Sequence, residues 1–291
     1  MDKRIKRKDQ EQGIAMYDPK QHLALVFLSG DTPGVVCHTF AAWTLWCLGY
    51  PDQGRRQIDD ALTLAKQMAD PFSLGFALHG AATFHLLRRE VSAVQDHAEA
   101  AIRVAQEQGF PQWQANGAIQ RGWVLAHQGR AQEGIAQITR GFSAHRATVA
   151  AIAGSYFLAL LAEAYGMQGE PEAGLTVLTE ALTRAETIGE RWYASELYRL
   201  KGALLLQQSS DNDTEAETCL QHAISIAQSQ QAKSWELRAA VSLSRLWQQQ
   251  GKRQDAYDLL APVYEWFTEG FDSADLIDAK ALLDALSEGA P

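Results

Sequence analysis

The chain has 291 residues, 46% of them hydrophobic and 21% charged, which is ample apolar material for a folded protein and excludes disorder. Its formal net charge of -9 speaks against a nucleic-acid groove, because phosphate binding depends on clustered Lys and Arg. No run of about 18 apolar residues is present, so the sequence offers no membrane span, and the start MDKRIKRKDQEQG lacks the apolar stretch of a secretory signal. A cytoplasmic location is the expectation. The three cysteines, Cys37, Cys47 and Cys219, are odd in number and form no CxxC pair, which fits core thiols rather than a disulfide framework or a zinc site.

At the N-terminus Lys3, Arg4, Lys6, Arg7 and Lys8 make a basic cluster, read as part of a solvated tail over residues 1–16. Residues 17–32 contain HLALVFLSGD, whose His22, Leu25 and Leu28 fit a helix, and this segment is expected to be the remnant of a preceding repeat. From residue 33 to 270 a single pattern recurs. A glycine or turn residue is followed five and twelve residues later by small residues: Gly49, Gly54, Ala61; Gly129, Gly134, Gly141; Gly169, Gly174, Ala181; Gly251, Ala256, Val263. The step is 40 residues, once 42, and a fixed period in this range marks stacked supersecondary units.

Each unit is predicted to be a helical hairpin. Before a marker stands a helical apolar pattern such as VVCHTFAAWTLWCLG, and after it a second, such as DQGRRQIDDALTLAKQM. Gly49 and Gly169 suit the left-handed end of the first helix, and Pro51 and Pro171 suit the first turn of the next. In the fifth unit Asp211, within SSDNDTEAE, stands for the glycine, and the two extra residues are expected near Glu186 to Ser195. Nine residues after the markers lie Ile58, Ala98, Ile138, Leu178, Leu220 and Leu260, predicted to form a buried stripe with the residues four further on. Pro262 should kink or end the last of these helices. FDSADL, with Asp272 as cap and Phe271 stapled to Leu276, is expected to open a closing helix from Asp272 to Ser287. The fold class that follows is an all-α solenoid of six helical hairpins, with a capping helix and tail over residues 271–291.

The markers, the small residues Ala65, Ala105, Ala185 and Ala227, and Leu48 resemble the tetratricopeptide repeat (TPR) pattern, at a period about six residues longer than its usual 34. That resemblance implies a right-handed superhelix. The words WCLGYPDQG, IQRGWVLAHQG, SELYRLKGALLL, SWELRAAVSLSRLW and YEWFTEGFDSADLIDAKALLDAL are similar to the C-terminal helical-repeat region of large bacterial signalling proteins. In those proteins a nucleotide cyclase or another effector precedes an AAA-type ATPase. The likeness covers residues 17 to 288 and implies a sensor or scaffold segment whose partner is a protein or peptide, including an attached cyclase or ATPase module.

Catalytic equipment is not legible. There is no GxxxxGK[ST], no HExxH and no GxSxG, and His79 and His85 stand six apart. No cofactor, metal, nucleic acid or membrane is therefore expected, and no feature encodes an oligomeric state. Recognition would fall to the first helix of each hairpin, at positions 13, 10, 6 and 3 before the marker. These positions select Trp43, Trp46, Phe76, His79, Asn116 and Trp123 in the aromatic first half. In the more basic second half they select Tyr156, Glu163, Tyr198, Lys201, Arg238 and Arg245. Trp43, Trp123, Tyr198 and Arg238 are expected to contribute to one concave site for an extended peptide with apolar anchors and a carboxylate. The alternative is a small-molecule sensor holding its ligand inside the superhelix.

Overall fold

Helix breakers and a repeated apolar stripe together set the architecture. A computed structural model describes residues 32–148 and 153–288; the basic tail and nearly all of the expected remnant helix lie outside the described residues. Thirteen α-helices are present among the described residues, with no strand. They are α1 (Pro33–Cys47), α2 (Pro51–Met68), α3 (Pro71–Leu87), α4 (Val91–Gln108), α5 (Pro111–His127), α6 (Ala131–Thr148), α7 (Gly154–Gln168), α8 (Pro171–Ile188), α9 (Ala194–Gln208), α10 (Asp213–Gln230), α11 (Lys233–Gln249), α12 (Arg253–Glu265) and α13 (Ala274–Ser287). Proline opens α2, α3, α5 and α8, where its missing N–H costs no helical hydrogen bond. Two compact units result, one built on α1 to α6 and the other on α7 to α13.

In both units consecutive helices pack as hairpins, and the first helices of successive hairpins also touch: α3 with α5 in the first unit, and α7, α9, α11 and α13 in turn in the second. The stripe is the core of this arrangement. Ile58, Ala98, Ile138, Leu178, Leu220 and Leu260 all have zero exposure. Beside them Ala61, Ala101, Ala181 and Ala223 are equally buried, and such small side chains let neighbouring helices approach closely. The second residues of the stripe are less covered: Phe142 and Ile224 are buried, whereas Leu62, Ile102, Leu182 and Tyr264 are only partly so. α12 runs 13 residues against 18 in α2, ending three residues after its internal Pro262.

Two expectations need correction. Hairpin contacts fix where the two extra residues fall. A side-chain carbon built on Gly54 would meet the carbonyl of Ala42, on Gly134 that of Gly122, and on Gly174 that of Ala162, each pair 12 apart; Gly202 instead meets the carbonyl of Ala216, 14 apart. The insertion therefore lies in the α9–α10 turn, where Ser210–Asn212 forms a 3-10 turn, and not near Glu186 to Ser195. The closing helix begins at Ala274 with Ser273 as its N-cap residue, two residues later than expected. Phe271 is 51% exposed and lies near Tyr264 at 6.1 Å, so it is no staple. The expected staple fails because Leu276 is already buried in the cluster it shares with Leu237, Leu243 and Leu260.

Candidate binding surfaces

In the first unit the first-helix faces are aromatic and neutral. Trp43 of α1 is half-buried, and its indole Nε1–H donates to the carbonyl of Gly80 on α3 at 3.0 Å, fixing the ring across the two helices. Phe40, 41% exposed, stands edge-on to Trp43 at 5.2 Å and 6.1 Å from Phe76. Phe76 in turn meets Trp113 of α5 at 5.6 Å. These offset and edge-on contacts are the favoured geometry for aromatic rings. Phe40, Trp43 and Phe76 form a partly exposed strip, and the sequence pattern had singled out only the last two.

Beneath that strip lies a buried polar layer. His79 stacks on Trp113 at 5.8 Å, and burial pushes its imidazole down to about 4, so it is neutral at ordinary pH. Gln120 donates from Nε2 to the carbonyl of His79 at 3.1 Å and to the Thr83 hydroxyl at 2.9 Å. Asn116 Oδ1 accepts from Nδ1 of His145 at 2.8 Å, in the tautomer that protonates that nitrogen. His79 and Asn116 thus support the surface from below. Trp46 and Trp123 are each only 2% exposed and belong to the core, which corrects their assignment as groove residues. The reason is size: rings this large seldom stay on a surface when small neighbours leave room beneath it. Trp123 packs on His127 of its own helix at 3.8 Å.

In the second unit the corresponding faces carry ion pairs. Arg199 of α9 makes a fork to Glu196, two contacts of 2.8 Å, and Glu196 is almost fully buried. Burial works against the Arg199 charge, but Glu196, assisted by Glu163 of α7, more than offsets it and raises the pKa of the guanidinium. On α11, Arg238 donates from Nε to Asp275 of α13 at 2.8 Å, stands 3.7 Å from Glu196, and lies over the Trp235 ring at 5.2 Å. Asp275 is therefore a buried pairing partner. Arg245 is the most open member, 53% exposed and 3.9 Å from Asp278.

Three sequence-selected residues of this half do not belong to that face. Tyr156 is 2% exposed within a ring cluster with Trp192 and Tyr193. Tyr198 stands edge-on to His222 of α10 at 4.4 Å, and Lys201 pairs with Glu215 of α10 at 3.0 Å. Both turn toward the second helix of their own hairpin. Their selection followed from counting back from Asp211, which lies beyond the two extra residues. Counting instead from position 209 gives Glu196 and Arg199, the pair that the pattern missed. A sequence signal for this exists: Trp113 and Tyr193, like Gly122 and Gly202, are 80 apart, so the array is still in phase well after Ser195.

The twelve selected residues fall six in each unit, and each unit gathers its own face. Among the described residues no group of three or more His, Cys, Asp or Glu could hold a metal ion, and no helix is long and apolar enough to cross a membrane.

No protein-family model matches the chain. It is similar, at 24% identity over 235 residues, to an uncharacterized protein of Rhizobium meliloti (strain 1021), with 80% of this chain aligned to 23% of that protein. The chain thus spans about a quarter of the length of the curated relative it matches. Among solved structures, a Rap protein complexed with competence and sporulation factor superposes with a TM-score of 0.64 at 14% identity, covering 97% of this chain and 85% of that one. A signal transduction ATPase with a tetratricopeptide repeat sensor from Pyrococcus horikoshii gives 0.48 at 14% identity, over 88% of this chain and 38% of that one. The fold is TPR-like. At these identities the likeness is one of fold, and the TPR-like hairpins explain why first-helix residues recur on one layer of each unit.

Proposed function

We propose that this chain is a non-catalytic, TPR-like module that binds an extended peptide or protein segment along its first-helix faces and regulates a larger bacterial signalling protein. The observation that carries the reading is the character of those faces at repeat-equivalent positions. The first unit offers partly exposed Phe40, Trp43 and Phe76 over a buried polar layer, and the second offers Arg199, Arg238 and Arg245 held by carboxylates. Aromatic rings and arginines are the residues that most often dominate recognition surfaces. The aromatic strip suits apolar anchors, and the arginines suit carboxylates. Two further points support it. The Rap protein of similar fold was crystallised with a bound factor, and the relative from Rhizobium meliloti is about four times as long as the segment it shares with this chain. The attachment to a cyclase or ATPase rests on the sequence likeness alone.

The test is a selection from random displayed peptides against the whole chain, followed by calorimetry on the enriched sequences. Enriched peptides should combine an aromatic or branched aliphatic residue with an acid. Phe76→Ala and Arg245→Ala should each weaken binding by about tenfold, the loss typical of an interface residue of this kind. Peptides that bind equally well to both variants would sink the proposal.

A further inference from the structure

Away from the first-helix faces, the second unit contains a cleft of about 290 Å³ between α8, α9 and α10. Its shape follows from the repeat. A cleft of about 300 Å³ stands at the equivalent place in the first unit, where α2, α3 and α4 meet, and Ala65, Lys66 and Leu74 there correspond to Ala185, Glu186 and Ala194 here, each 120 residues on. The chemistry is what differs. Lys66 is replaced by Glu186 at one wall, and the second-unit cleft alone is lined by an aromatic pair, Tyr198 edge-on to His222.

The polar lining of this cleft sets two carboxylates, Glu186 and Glu190, and the oxygens of Ser229 and Gln230 against one cation, Arg191. Gln230, which lines the cleft, donates its Nε2–H to the carbonyl of Arg191 at 2.9 Å, and its Oε1 is buried without a hydrogen-bond partner among the described residues. Ser229 spends its hydroxyl proton on the carbonyl of Ile226 at 2.8 Å, leaving oxygen lone pairs. The Glu186 carboxylate adds a negative charge and is exposed. A buried acceptor without a donor costs free energy that an incoming N–H recovers. Apolar wall is supplied by Leu182, Ala194 and Ile226.

We infer that this cleft is a binding site for a small organic amine, an ammonium group on an apolar or aromatic body, with Gln230 and Glu186 receiving the ammonium and Tyr198 and the apolar wall receiving the body. A small-molecule site of this kind stands apart from the peptide faces, so its failure leaves that reading untouched. The volume sits at the small end of ligand pockets and suits a molecule the size of a decarboxylated amino acid.

The experiment titrates the full chain with tyramine, and with 4-ethylphenol as the matched body without its amine, by calorimetry. Tyramine should bind saturably, and 4-ethylphenol at least about tenfold more weakly. Ala194→Leu, which installs the residue found at the equivalent place in the first unit, should fill the cleft and weaken tyramine by about tenfold or more. Ala194→Met serves if the leucine variant melts early. Glu186→Gln should weaken tyramine severalfold with no loss of folding. Absence of saturable tyramine binding into the millimolar range, equal binding of the two probes, or unchanged affinity in a folded position-194 variant would each overturn the inference.

Discussion

The two units share one buried stripe and differ in how their first helices hold to one another. In the first, α1, α3 and α5 are joined by rings and neutral hydrogen bonds, Trp43 to Gly80 and Gln120 to His79, and a further neutral bond, His145 to Asn116, ties α6 to α5. Its buried ions gather instead at the α3–α4 turn, where fully buried Arg88 meets Glu90 at 2.8 Å and Glu90 also receives Arg55 at 2.7 Å. In the second, the helices α9, α11 and α13 are joined by charge: Arg238 of α11 with Glu196 of α9 and with Asp275 of α13, while Arg199 holds Glu196 within α9. A repeat therefore dictates the spacing of its helices through the stripe and leaves the chemistry between first helices free to vary. That freedom is what lets a TPR-like array acquire different recognition surfaces along its length.

The sharpest way to break the contrast is to remove one partner from each kind of contact. Asp275→Ala removes the 2.8 Å partner of the Arg238 guanidinium, whose side chain is 11% exposed, and losing one partner of a buried pair costs about 3 kcal/mol. Asn116→Ala removes a neutral acceptor from His145 and should cost about 1 kcal/mol. Urea unfolding with hydrogen exchange followed separately in residues 32–148 and 153–288 reads both. Equal costs would show that the ionic contacts are no more binding than the neutral ones.

Acidification should act on the first unit through its buried histidine. The pKa of His79 is held down at about 4 in the folded chain, against an ordinary 6.5, chiefly by burial. The unfolded chain therefore takes up the proton first, and stability present above pH 6.5 is lost progressively as the pH falls through 4. Between pH 7.5 and 5 this amounts to about 2 kcal/mol. Burial and the neighbouring His85 hold the pKa of His97 down to about 4 as well, so it adds in the same direction. Glu90 acts lower, since His85 and Arg88 overcome the effect of its burial and bring it to about 2; its contribution is lost only as the pH falls from 4.5 through that value. Protection of α3 amides should fall between pH 7 and 5, and His79→Gln should flatten that dependence. A profile as steep in the variant as in the parent would place the titration elsewhere.

The stripe was legible because periodic burial depends only on which residues repeat, and Ile58, Ile138 and Leu260 declare themselves by position. The hairpin turns were legible for the same reason, through proline and glycine. The face was read less well. Whether a tryptophan lies on the core side or the open side of a helix depends on what the next hairpin offers, so Trp43 and Trp46, three residues apart on α1, end in different places. The pattern selected Arg238 and Arg245 but missed Glu196 and Arg199, because one marker lay beyond a two-residue insertion, and a slip of two rotates a helix position by about 200°, to the opposite face. Tyr198 and Lys201 accordingly face α10, and Glu196 and Arg199 hold the places assigned to them.

The smallest effect concerns the corners that end the second helices, and it tests whether the units share their turn chemistry as they share their stripe. Gly109 and Gly189 end α4 and α8 in the left-handed region at φ of 71° and 70°. The same corner is filled by Ala69 after α2, at φ 50°, and by Gln231 after α10, at φ 58°. A side chain in that region is strained, and glycine relieves the strain while adding freedom to the unfolded chain. The balance should leave Ala69→Gly and Gln231→Gly each more stable by about 0.5 kcal/mol. Because one corner lies in each unit, a rise confined to one variant would show that the two corners, alike in backbone, are not alike in what their side chains do.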